Sequence, residues 1–151
     1  MASTDSPALN DLVIIRRTVA ASAERAFKAW TEPAAIAQWA APGTSVITHA
    51  EVDLRVGGRF LQHMRAANGF ERRVSGTYIE IDAPHRLVYT WRWELPPDEN
   101  ESQVTVEFLQ RGESTEVIVT HALLADDTSR TNHANGWNGC LDKYEQRFTA
   151  R

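Results

Sequence analysis

The sequence predicts an α+β domain: a curved antiparallel sheet of about seven strands around a long C-terminal helix, with two short helices after the first strand. Three observations predict it. Turn signals at Gly57-Gly58, Asn68-Gly69, Ala83-Pro84-His85, Leu95 to Asn100 and Arg111 to Ser114 separate six consecutive runs rich in β-branched and aromatic residues. Apolar residues at helical spacing occur only after the first strand and over the last stretch of the chain. The 151 residues make one domain, large enough to bury a core without disulfides or metal.

The elements follow in order. Leu12 to Val19 is a strand, and Ser22 is an N-cap for a short helix whose apolar stripe is Ala23, Phe27 and Trp30. Glu32-Pro33 starts a second short helix, edged by Ile36 and Trp39 and ended by Ala41-Pro42-Gly43. The meander strands are Ser45 to Leu54, Arg59 to Ala66, Glu71 to Ile81, Arg86 to Trp93, Gln103 to Gln110 and Thr115 to Ala122. Asp126, Asp127 and Thr128 offer caps for the last helix, about Asp127 to Phe148, with His133, Trp137, Cys140, Leu141, Tyr144 and Phe148 on one stripe. Gly136 and Gly139 inside it each cost about 1 kcal/mol against alanine, so close approach to a neighbour or space beside the helix is expected there.

Composition removes several classes of function. A formal net charge of -4, with 14 Arg and 2 Lys scattered along the chain, argues against nucleic-acid binding. No apolar run is long enough to span a bilayer, so membrane insertion is not expected. Residues 1–11 read as a flexible polar leader without signal-peptide features and 12–151 as a single domain, which makes the cytoplasm the default location. The lone Cys140 cannot form an internal disulfide. No nucleotide-binding or nucleophile-elbow fingerprint occurs, and no cofactor is expected.

A set of motifs then carries a resemblance. Phe27-Lys-Ala-Trp30-Thr31-Glu-Pro33 through Trp39, Asp53-Leu-Arg55-Val-Gly57-Gly58-Arg-Phe60, Gly76-Thr-Tyr78-Ile-Glu80, Arg86-Leu87-Val-Tyr89-Thr-Trp91, Thr115 to His121 and Gly136-Trp137 to Leu141 follow one another over nearly the whole chain. Together they resemble the START-like (SRPBCC) superfamily, and within it the small bacterial proteins similar to the C-terminal domain of the activator of the 90-kDa heat-shock-protein ATPase. The resemblance implies a helix-grip fold with a cavity between sheet and terminal helix. It does not imply a reaction, since such proteins include carriers, cyclases and co-chaperone domains.

Strand alternation selects the inward residues. Leu87, Tyr89, Trp91 and Trp93 share one face, Val104, Val106 and Phe108 the next, then Val117, Val119 and His121; Phe60, Gln62 and Met64 face inward in preference to Leu61. The expected cavity lining is Phe60, Met64, Tyr89, Trp91, Trp93, Phe108, His121, His133, Trp137, Cys140 and Tyr144. This mostly aromatic set suits a small hydrophobic or aromatic ligand. His121 and His133 are acid/base candidates for a cavity enzyme of the cyclase, dehydratase or hydrolase kind; the alternative is a hydrogen-bonded pair pinning helix to sheet. With Cys140 they lack metal-site spacing, and Cys140 reads as a packing residue, not a nucleophile. Asp53 reads as a partner for Arg55. Ligand binding ranks first, catalysis second and a chaperone partner third; exposed sheet edges leave a homodimer open.

Overall fold

The computed structural model describes residues 11–149. The expected leader lies outside them except for Asp11. The elements are β1 (Val13–Val19), α1 (Ala23–Thr31), α2 (Pro33–Ile36), β2 (Val46–Val52), β3 (Arg59–Arg65), β4 (Glu71–Asp82), β5 (Arg86–Leu95), β6 (Ser102–Arg111), β7 (Ser114–Ala122) and α3 (Asp127–Thr149). They form one seven-stranded sheet of order β1-β7-β6-β5-β4-β3-β2, antiparallel throughout. Strands β2 to β7 are the expected meander, and β1 joins its far side in register from Val13↔His121 to Val19↔Thr115. The first two strands therefore sit on opposite edges, and the chain between them, α1 and α2, has to bridge the sheet from edge to edge. The curled sheet gripping a terminal helix is the helix-grip arrangement.

Local chemistry accounts for the helix boundaries. Ser22 Oγ accepts from the Arg25 N–H at 3.2 Å at the start of α1. Asp126 Oδ1 accepts from the Ser129 N–H at 2.8 Å and caps α3. The second helix is shorter than expected. It ends at Ile36 because the following turn tightens to i→i+3 bonds, Gln38 to Ala35 and Trp39 to Ile36, so Trp39 falls beyond the helix yet stays buried.

The core lies between the concave sheet face and the helices. Leu87, Val104, Val106, Phe108, Val117 and Val119 are fully buried, as the alternation requires, and Phe60 and Met64 are buried where Leu61 is half-buried. On α3, Trp137, Cys140, Leu141, Tyr144 and Phe148 form the inner stripe. Three polar ties fix this helix. Tyr144 Oη donates to Ala26 O at 2.7 Å, the Arg17 guanidinium reaches Asp142 at 2.8 Å, and Lys143 Nζ donates to Ala41 O and Ser45 O at 2.6 and 3.1 Å. No helix among the described residues is long and apolar enough to cross a membrane.

Candidate functional site

Between α3, the α1–α2 segment and the concave face of β3 to β5 lies a cavity of about 570 Å³, within the usual range of roughly 300–1,000 Å³ for small-molecule sites. All five tryptophans form part of its wall: Trp30, Trp39, Trp91, Trp93 and Trp137. Exposure grades from one end to the other. Trp30, Trp39, Met64, Tyr89, Trp91, Trp137 and Cys140 are buried and make the floor, whereas Asn68, Phe70, Arg72 and Asn132 are exposed and make the rim.

The helix glycines explain why there is space at all. A Cβ on Gly136 would meet nothing within 4 Å, and Gly136 lines the cavity. A Cβ on Gly139 would lie 3.1 Å from Pro42 Cβ, so this glycine admits the loop after α2. One glycine leaves room and the other permits a close approach to a loop. Toward the C-terminus of α3, Leu141 and Tyr144 pack fully and close the core.

Hydrogen bonds assign both histidines. An indole N–H only donates, so the Trp137 Nε1–H, 2.9 Å from His121 Nδ1, makes that nitrogen an acceptor. His121 Nε2–H then donates to Ser102 Oγ at 2.7 Å, and the Ser102 hydroxyl donates to Trp91 O at 3.1 Å. His133 is held the same way with the roles of sheet and helix exchanged. Its Nε2 accepts from Trp93 Nε1–H at 3.0 Å, and its Nδ1–H donates to Ser129 O at 2.8 Å. Sheet histidine to helix tryptophan, and sheet tryptophan to helix histidine, make two crossed ties with the imidazoles edge-on at 5.0 Å. Both rings are neutral, with every nitrogen occupied. Burial, then the neighbouring His133, lowers His121 from 6.5 to about 3. Burial also lowers His133, against the opposing pull of Ser129 and Asp98.

Other reactive groups are equally quiet. Burial pushes the Cys140 thiol up to about 12, which leaves almost no thiolate at neutral pH. The Tyr89 phenol is raised further by burial, even though its oxygen accepts from Trp30 Nε1 at 3.2 Å. Asp53 pairs with Arg55 at 2.9 Å. Among the described residues no cluster of His, Cys, Asp and Glu is placed to hold a metal ion.

Of the residues expected to line the cavity, Met64, Tyr89, Trp91, Trp93, His133, Trp137 and Cys140 reach its surface. Phe60, Phe108, His121 and Tyr144 lie one layer behind. Phe60 packs on Tyr89 at 5.0 Å, Phe108 on Phe27 at 5.4 Å, Tyr144 on Trp39 at 4.8 Å, and His121 sits behind Trp91 at 5.7 Å. Trp30 and Trp39 were not expected on the wall, because strand alternation says nothing of how a bridging helix is aimed. The rim residues did leave a trace. Phe70 and Arg72 continue, two by two, the inward row of Val74, Gly76 and Tyr78 on β4.

Comparison with known proteins agrees with this architecture. A family model described as "Activator of Hsp90 ATPase homolog 1-like protein" matches residues 20–149. A crystal structure of a Chromobacterium violaceum protein superposes with a TM-score of 0.86 at 23% identity, covering 95% of this chain and 100% of that one. An AHSA1-like protein of Aeromonas hydrophila gives 0.75 at 29% identity, with 92% of each chain covered. The AHSA1 protein of Silicibacter pomeroyi gives 0.82 at 24%, covering 91% and 97%. No curated protein matches the chain significantly.

Proposed function

The chain belongs to the family of activator of Hsp90 ATPase homolog 1-like proteins, and from that premise we propose that it binds a small, flat, largely apolar molecule in the aromatic cavity without transforming it. One observation carries the reading. The cavity wall is built from five tryptophans, and the two histidines that an enzyme would use have both ring nitrogens committed to the fold. Ring faces supply dispersion and apolar burial, which suits retention of a ligand. Two inner donors remain, the Trp91 Nε1–H, buried on the floor without a partner, and the Tyr89 hydroxyl. Tyr89 accepts from Trp30, while its own hydroxyl proton has no acceptor among the described residues and is available to a ligand oxygen or nitrogen.

The test is a titration with a neutral aromatic fluorophore, N-phenyl-1-naphthylamine. Saturable binding is expected, weakened at least about tenfold by Gly136→Phe, which puts a ring into the open volume beside α3. No saturable binding, or binding indifferent to Gly136→Phe, would overturn the reading.

A further inference from the structure

We propose that the ligand is an amphiphilic anion, a flat apolar body bearing a carboxylate, sulfonate or similar group, seated with that group at Arg72. The inference rests on the binding role argued above and adds the ligand's charge and direction. Arg72 is the one lining residue with a formal charge at neutral pH, since His133 is held neutral. Its guanidinium lies over the Phe70 ring at 5.4 Å and the Trp93 ring at 5.7 Å. Two aromatic faces thus fix a cation across the cavity rim.

The charge is also unspent. Arg86 bridges Glu80 and Glu107, and Arg17 bridges Asp142 and Glu145, whereas Arg72 has no carboxylate within ion-pair distance among the described residues. Asp98 is the carboxylate whose field reaches His133 at this end, and it is engaged in its own turn by the Asn100 N–H at 2.9 Å. Asn68 adds a donor on the same rim. Its Oδ1 is used by the Phe70 N–H at 2.9 Å, which leaves the amide NH₂ for a ligand.

Burial fixes the direction. The floor that raises the Cys140 thiol and the Tyr89 phenol disfavours negative charge, so an anion placed there would lose its hydration uncompensated. At the exposed rim the same anion keeps water on one side and gains a charge-assisted bond from a guanidinium already held in place. The apolar body then fills the tryptophan-walled floor.

Two fluorophores with the same anilinonaphthalene body separate this inference from the one it rests on: neutral N-phenyl-1-naphthylamine and anionic 8-anilino-1-naphthalenesulfonate. At low salt the folded protein is expected to bind the sulfonate about tenfold tighter than the neutral probe, as one exposed charge-assisted contact gives. Arg72→Met should bring that ratio to about one, Arg72→Lys should retain part of it, and about 0.5 M salt should erode it in the unaltered protein. A ratio of one or below, or a ratio that survives Arg72→Met, with the neutral probe still bound, overturns the anion inference alone. If neither probe binds, the cavity reading falls and this one with it.

Discussion

His121 makes the stability of the domain depend on pH. Its proton affinity is lowered from 6.5 to about 3, chiefly by burial. Between those values the unfolded chain takes up a proton that the folded chain refuses, so this residue makes stability rise with pH by up to about 1.4 kcal/mol per unit. The contribution is complete above about pH 6.5 and is lost progressively as the pH falls toward 3. His121→Gln keeps an amide oxygen for Trp137 and an NH₂ for Ser102 but does not titrate. At pH 7 it should cost about 1–2 kcal/mol for imperfect geometry, and urea midpoints of variant and parent should meet between about pH 6 and 5 and cross by about pH 4, where the variant is the more stable; a constant gap would contradict the assignment. His133 allows a complementary test. The Trp93 N–H bonds only the unprotonated Nε2, so Trp93→Phe should raise the His133 pKa in an NMR titration, whereas an unchanged value would mean that this bond does not hold the ring neutral. Residue types alone left base and brace as alternatives for these histidines; what separates them is which nitrogen faces an indole N–H.

At the scale of the element, α3 carries two glycines whose energetic reasons differ. Alanine at either position gains about 1 kcal/mol of helix propensity. At Gly136 the added methyl meets open space, so Gly136→Ala should raise the thermal midpoint by about 3 °C. At Gly139 it lands 3.1 Å from Pro42 Cβ and 3.3 Å from the Gly43 nitrogen, and the loop tied to α3 by Lys143 would have to give way. Gly139→Ala should therefore show no gain or a loss, and equal gains at both sites in calorimetry would show that the loop does not press on the helix. The inner stripe of α3 was legible in the sequence because apolar spacing and burial share one period. The strand rows were legible for the same reason, down to Phe60 and Met64 facing in and Leu61 facing away. The extent of α2 was not, since Pro33 announces a start while the tightening after Ile36 depends on where Trp39 is held by Ala29 O, 2.9 Å away. Nor could alternation tell a wall residue from one behind the wall: Phe108 and Trp91 point the same way, and only the packing of Phe27 and Trp30 over Phe108 separates them.

For the whole molecule, the topology makes the cavity a joint between three parts of the chain. With β1 and β2 on opposite edges, the α1–α2 bridge must lie across the sheet, and its Trp30 and Trp39 close the space that α3 and the strands leave open. That closure explains the composition. Four of the five indole N–H groups are used in the frame: Trp30 to Tyr89, Trp93 to His133 and Trp137 to His121 tie the parts together, and Trp39 to Ala29 O braces the bridge itself. The fifth, Trp91 Nε1, is buried without a partner. The same residues thus build the frame with their edges and the wall with their faces. A ligand seated there touches sheet, bridge and terminal helix at once, so its binding energy should stabilise the domain as one unit. At about 100 times its dissociation constant, N-phenyl-1-naphthylamine should add about 2.7 kcal/mol, moving the single melting transition up by about 5–10 °C. Gly136→Phe should melt no lower than the parent, because it replaces a helix-weakening glycine and buries a ring in open volume, yet it should show almost no shift with the probe. A shift of the same size in both proteins would place the probe elsewhere on the surface and remove the cavity as the seat of binding.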